Sequence, residues 1–211
     1  MTGEAPVAHV LLDADGVMQY LPGGWRAAVE PFLGDRSDEF VTALSMKERA
    51  CLVGEPFLPV LGEMLLSYGV TASAADVHAA VWENVAVSPE SVALVGELRA
   101  AGLGVHLATN QNPERAAYMR RALDYADLFD ELFYSCDLGV AKPEPAYFAA
   151  ALATLGATPA QVLFVDDSAT NVAGARDAGL RAERWHLHDG HPALRTLLAP
   201  HLPTLARPLG G

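Results

Sequence analysis

Basic residues are scarce in this 211-residue chain: 14 Lys and Arg stand against 26 Asp and Glu, a formal net charge of −12 at pH 7. Recognition of nucleic acid or of an anionic membrane surface needs clustered Lys and Arg, so neither is expected as a partner. Cysteine is rarer still. Cys51 and Cys136 are far apart and lack metal-ligand spacing, which reads as free thiols in a reducing compartment. Long apolar runs are missing too, which excludes a membrane-spanning helix. The first apolar run, residues 7–12, is too short for a signal core, follows no basic segment and ends in Asp13. The expectation is a cytoplasmic protein. There is no internal repeat or low-complexity tract. What is present, 51% hydrophobic and 19% charged residues, is the composition of a globular chain. The length allows one well-buried core plus a small accessory unit.

Four short apolar runs, at residues 10–12, 104–108, 132–134 and 162–165, read as strands. Apolar on both faces, they fit buried strands of a parallel sheet. After Pro89 come Val92, Val95 and Leu98; after Pro113 come Ala116, Met119 and Leu123; after Pro145 come Phe148, Leu152 and Leu155. This is helical spacing, with Pro near each start and Gly102 and Gly156 as stops. The alternation predicts an α/β fold, a three-layer Rossmann-like parallel sheet. Roughly seventy residues between the first strand and Pro89 break the pattern, with helical periodicity at 38–52, 57–68 and 74–85 and no good strand. The division expected is a core of residues 1–18 and 89–211 with a small all-helical cap, 19–88, inserted after the first strand. Active sites of open α/β sheets lie at the carboxyl ends of strands, so such an insertion covers the site. The tail 188–211 is expected to pack one short helix and then fray.

Polar residues sit where the apolar runs end. Asp13 and Asp15 follow the first, Thr109 and Asn110 the second, Asp166 and Asp167 the fourth, and Lys142 precedes the Pro145 helix. Strand ends of one parallel sheet converge in space. Two unit charges about 4 Å apart interact by about 4 kcal/mol at an effective dielectric of about 20, so four carboxylates meeting there need a hard cation and a lysine. Mg²⁺ suits an all-oxygen site. Taken singly, each group has a plainer reading: a solvated turn at Asp13 to Gly16, a helix cap at Thr109-Asn110 or at Asp166-Asp167-Ser168, a surface lysine at 142. A calcium loop at Asp13 is disfavoured, because a third acid before the glycine and the terminal Glu are missing.

Together, Asp13-Ala14-Asp15-Gly16-Val17, Thr109-Asn110, Lys142-Pro143 and Phe164-Val165-Asp166-Asp167 resemble the four ordered motifs of the haloacid dehalogenase-like hydrolases. The resemblance extends from about Val10 to Trp185. Lys142-Pro143-Glu144-Pro145-Ala146-Tyr147-Phe148 and Asp166-Asp167-Ser168-Ala169-Thr170-Asn171 are similar to the small helical cap branch, which includes sugar-phosphate phosphatases and the N-terminal phosphatase domain of soluble epoxide hydrolases. It implies hydrolysis of a small phosphorylated metabolite. Asp13 would be the nucleophile and Asp15 the general acid and base. Thr109 and the Asn110 amide would hold phosphoryl oxygens, and Lys142 would balance charge. Mg²⁺ would be held by Asp13, the Asp15 carbonyl and Asp167, with Asp166 acting through water or orienting Lys142. The dehalogenases proper lack an acid at the position of Asp15; its presence points to phosphate esters. Ala14 stands where a larger apolar residue is common.

Three other functions share these features. A phosphomutase has the same core residues, an idle relative would serve only protein association, and a receiver-type signalling domain groups similar residues in a different order without the insertion. Other polar and aromatic residues have ordinary readings. His186, His188 and His191 read as surface histidines rather than metal ligands, and His106 as packed within its strand. Tyr20, Gln19 and Trp25 could touch substrate, with Trp25 equally suited to the cap interior. Met46 and Met64 read as helix packing. Neither the natural substrate nor the oligomeric state is legible.

Overall fold

The computed structural model describes residues 5–203. The expected fraying of the tail falls on 204–211, outside the described residues. The chain runs from β1 (His9–Leu12) through β2 (Gln19–Tyr20) into four helices, α1 (Gly24–Leu33), α2 (Ser37–Lys47), α3 (Phe57–Ser67) and α4 (Ala74–Val81). It returns through β3 (Ala86–Val87) and α5 (Pro89–Ala100). Next come β4 (Gly104–Thr109), α6 (Pro113–Ala122), α7 (Tyr125–Leu128), β5 (Glu131–Tyr134), α8 (Ser135–Leu138) and α9 (Pro145–Leu155). The last elements are β6 (Val162–Asp166), α10 (Ala169–Asp177), β7 (Arg181–Arg184) and α11 (His191–Leu198).

Five strands form one parallel sheet in the order β5-β4-β1-β6-β7. The apolar runs divide by the period of two that a strand imposes. Val10, Leu12, Val105, Leu107, Leu163 and Val165 face one core cluster, completed by residues of α5, α6 and α11. Leu11, Ala108, Phe133 and Phe164 face the other, completed by α9 and α10. Helices on both faces give the three expected layers. Strand β1 lies at the centre, and chain order reverses on either side of it, so its carboxyl end is the switch point where α/β sheets bind ligands.

The helices between β2 and β3 bury their own cluster, including Leu21, Val29, Phe40, Phe57, Leu61, Val77 and Trp82. Several expectations need correction. A fifth strand, β7, escapes detection because Arg181, Glu183 and Arg184 leave it no apolar run, as befits an edge strand. Gln19–Tyr20 and Ala86–Val87 pair as a two-stranded antiparallel ribbon where no strand was expected. Two residues per strand are too few to show a period. Helix α1 is hidden by Gly23 before it, Gly24 at its start and Pro31 inside it. The stretch 38–52 ends its α-helix at Lys47 and continues as a 3₁₀ turn, Glu48–Val53. Met46 is 74% exposed and packs nothing, whereas Met64 is buried. Cys51 and Cys136 are both free. Among the described residues no helix is long and apolar enough to cross a membrane.

His106 is packed, as its place in β4 implies. It is 3% exposed, its Nε2 lies 3.1 Å from His9 Nδ1, and its Nδ1 has no partner. Burial, reinforced by His9, lowers its pKa from 6.5 to about 4. Between those values the unfolded chain holds a proton that the folded chain does not, so stability rises with pH across the window and is lost as pH falls. The urea midpoint should therefore drop between pH 6.5 and 4.5, and less steeply in His106→Leu; equal slopes in the two proteins would contradict this assignment.

Candidate functional site

The site grows from the turn after β1. Asp13 continues the strand by donating its N–H to Val165 O at 3.0 Å. The Ala14 carbonyl then accepts from the N–H groups of Val17, Met18 and Gln19, which curls the chain over just beyond Asp13. Gly16 makes the turn possible. Its φ is 76°, and a Cβ there would lie 2.8 Å from Asp167 Oδ2 and 3.0 Å from His186 Cδ2.

Lys142 joins the other strand ends. Its fully buried ammonium lies 2.9 Å from Asp13 Oδ1 and 2.6 Å from Asp166 Oδ2, and donates to Ala108 O at 2.8 Å. Burial alone would favour the neutral amine, but the charges of Asp13 and Asp166 outweigh it and raise the pKa. The backbone of Lys142 is fixed by Asn110, whose side chain accepts from Lys142 N at 2.9 Å and donates to Lys142 O at 2.8 Å. Asp166 also accepts from Ser168 N at 2.8 Å and from Asn171 Nδ2 at 3.1 Å. Ser168 caps α10, so the helix-cap reading of this motif is true of Ser168 without using up Asp167. Gly174 lets α10 press against Pro143, whose carbonyl oxygen a Cβ there would strike. Asp13 has its pKa raised by burial and by Asp166, with Lys142 pulling the other way.

Asp15 is held by a different set of residues. Arg115 grips both its oxygens, at 2.7 and 2.8 Å, and Gln19 and Gln111 add bonds at 3.0 Å. Enclosure raises its pKa, but the Arg115 charge and these bonds prevail and hold it below the usual carboxylate range. Arg115 also donates through Nε to Trp82 O at 3.0 Å, at the end of α4. Its neighbour Glu114 accepts from Phe57 N and Leu58 N, at the start of α3. The first turn of α6 thus clasps the helical insertion at two places while holding Asp15. Thr109, 1% exposed, accepts from Gln111 Nε2 at 3.0 Å.

Asp13, Asp166 and Asp167 each present an oxygen within 4.8 Å of the others. Three carboxylates against one ammonium leave excess negative charge, and an all-oxygen donor set of this kind fits a hard divalent cation. The Asp167 carboxyl has its pKa raised by burial and by Asp166, the direction a nearby cation would reverse. A cavity of about 560 Å³ opens beside Asp15 and Asp167, bordered by Tyr20, Trp25, His186 and His188. His186 is half-buried and His188 exposed, and both border the mouth of this cavity. His191 is turned away: it is 13% exposed, 3.0 Å from Ser91 Oγ and 3.2 Å from Glu90.

Arg115, Gln111 and Trp82 were not singled out from the sequence. A signal for Arg115 existed: Asn112 caps α6 and Pro113 opens it, which places an arginine in a first turn where the helix dipole favours acids. A cation that is nevertheless 3% exposed there must have a specific anionic partner. Gln19 touches Asp15 and Tyr125, not the open cavity. Trp25, 36% exposed, packs against Trp82 with ring centroids 5.6 Å apart.

Comparison with known proteins agrees with this geometry. The phosphoglycolate phosphatase of Salmonella paratyphi A is 33% identical over 97 residues, 46% of this chain and 38% of that protein. The phosphoserine phosphatase of Thermus thermophilus is 35% identical over 95 residues, 44% of this chain and 38% of that protein. The match therefore spans well under half of either relative. In fold, the chain superposes with a TM-score of 0.70 on a haloacid dehalogenase family enzyme of Bacteroides thetaiotaomicron solved with magnesium and inorganic phosphate. The two are 20% identical, over 84% of this chain and 93% of that one. The family model for haloacid dehalogenase-like hydrolases matches residues 7–179, from the approach to β1 to the end of α10, and the chain belongs to that family.

Proposed function

We propose that the protein is a Mg²⁺-dependent phosphomonoester hydrolase working through an aspartyl-phosphate on Asp13. The observation that carries this reading is the juxtaposition of Asp13 with Lys142 at 2.9 Å and with two further carboxylates, beside a second acid two residues on. A carboxylate is a poor nucleophile toward an anion unless the anion's charge is balanced. Lys142 meets part of that need, and Mg²⁺, held by Asp13, Asp167 and the Asp15 carbonyl, would supply the rest by neutralising phosphoryl charge. Asp166 is already committed to Lys142, Ser168 and Asn171, which favours Asp167 as the direct ligand and gives Asp166 the task of orienting the lysine. Thr109 and the Asn110 amide would hold phosphoryl oxygens. The phosphatase names of two relatives and the phosphate complex of a structural neighbour are consistent with this chemistry.

In the first step an Asp13 oxygen bonds to phosphorus as the ester P–O bond breaks, and the departing alkoxide takes a proton from Asp15. In the second, water gives a proton to Asp15 and attacks phosphorus, freeing Asp13 and inorganic phosphate. Asp15 starts as a carboxylate because Arg115 holds it so. Arrival of a phosphoryl anion beside it raises its pKa and lets it take up the proton that the alkoxide needs. Residues 19–88 act as a cap over this chemistry. Arg115 ties the end of α4 to Asp15, so that a closed cap and a positioned acid go together. The substrate is a small phosphate ester.

Purified protein should release phosphate from small esters with Mg²⁺ and not in chelator, and Asp13→Asn should lower kcat by at least about 10³-fold. Retained turnover in that variant would overturn the nucleophile. Asp15→Asn should lose about 10²-fold or more on alkyl phosphates and much less on aryl phosphates, whose leaving groups need no proton. Arg115→Met should show the same leaving-group signature if it serves by positioning Asp15; equal losses on both ester types would deny it that role.

A further inference from the structure

Glu48, at the start of the 3₁₀ turn after α2, has no place in the chemistry above. It lines a cavity of about 230 Å³ together with Asp15, Arg115, Trp25 and Trp82. Beyond the same two tryptophans and Glu48, a second cavity of about 200 Å³ is walled by Val29, Phe40, Val41 and Leu44. Glu48 stands at the junction, half-buried, between Asp15 and the apolar interior of the insertion. Its carboxylate makes no hydrogen bond or ion pair among the described residues. The one cation that acts on it, Arg115, has its N–H groups directed to Asp15, Gln111 and the Trp82 carbonyl. Burial accordingly pushes Glu48 up to about 7 in spite of Arg115. A carboxylate removed from water without a partner is costly, and packing gives no reason for one here: Trp25, Trp82 and Leu44 would accommodate an apolar side chain.

We infer that Glu48 with Trp25 and Trp82 forms the leaving-group subsite, selecting phosphate esters whose alcohol carries a hydrogen-bond donor, a hydroxyl or an ammonium group. This rests on the phosphatase reading and adds the substrate class to it. The carboxylate accepts from the donor, and the indole faces cover the carbon skeleton or, for an ammonium group, add cation–π attraction. An alcohol without a donor leaves Glu48 desolvated and unpaired, which is how a site built around a polar group rejects the analogue that lacks its mate.

The test compares glycerol 1-phosphate, phosphoethanolamine and ethyl phosphate as substrates of the wild type and Glu48→Gln. The wild type should prefer a donor-bearing ester, and Glu48→Gln should lower kcat/KM for that ester at least about tenfold more than for ethyl phosphate. A loss concentrated on phosphoethanolamine identifies the ammonium source, which forfeits an ion pair to the neutral amide; a loss concentrated on glycerol 1-phosphate identifies the hydroxyl source, whose charge-assisted bond becomes a weaker neutral one. Equal losses on all three esters, or none, overturn the subsite. Glu48→Gln should keep or raise Tm, since it removes an unpaired buried charge; a lower Tm with uniform losses would mean that Glu48 serves the fold. Calorimetric titration of the same esters into Asp13→Asn protein, with and without Glu48→Gln, reads the subsite without turnover. Donor-dependent binding there, together with a wild type that hydrolyses no ester, would sink the phosphatase reading and leave the subsite standing.

Discussion

The fully buried ammonium of Lys142 is the interaction on which the rest of the site depends. It lies between Asp13 and Asp166, which end neighbouring strands of the sheet, and donates to Ala108 on a third. A buried cation of this kind is tolerable only because two carboxylates face it, and those carboxylates are tolerable only because it is there. Nothing in this arrangement is free to drift. Asn110 fixes the lysine backbone, Asn171 and Ser168 fix Asp166, and Gly174 lets α10 come close enough to hold Pro143. One charge therefore ties three strand ends together and holds Asp13 in place.

Around that fixed centre lies a second, more conditional set of contacts. Asp15 is bound to Arg115, and Arg115 to the carbonyl that ends α4, while Glu114 caps the start of α3. The helical insertion has its own apolar core and is tied to α6 by hydrogen bonds at the ends of α3 and α4. Such contacts are cheaper to break and remake than packed apolar surface, which suits the cap proposed for residues 19–88. Asp15 thus sits on the boundary between the sheet and the helical insertion. Glu48, in the helical insertion and without a partner among the described residues, is the corresponding feature in the subsite proposed for the leaving group.

Much of this was legible before any coordinates. The four runs at 10–12, 104–108, 132–134 and 162–165 are strands because burial on both faces demands continuous apolar sequence, and the polar residues at their ends converge because parallel strands share one carboxyl edge. Asp13, Asp166, Asp167 and Lys142 were placed together on that ground alone. What escaped notice did so for physical reasons. Strand β7 is an edge whose charges conceal it, the ribbon of β2 and β3 is too short to have a period, and α1 begins and bends at residues that usually mark turns.

The sequence by itself determined which polar groups could meet, since Asp13, Thr109 and Asp166 are tied to strand ends and strand ends are written in apolar pattern. Tertiary structure alone decided what surrounds them. That Arg115 grips Asp15, 100 positions away, and that Glu48 and Trp82 share a cavity with it depends on how helices of the insertion come to rest on the sheet. Helix packing is set by the shapes of side chains from many segments at once, so no local spacing encodes it.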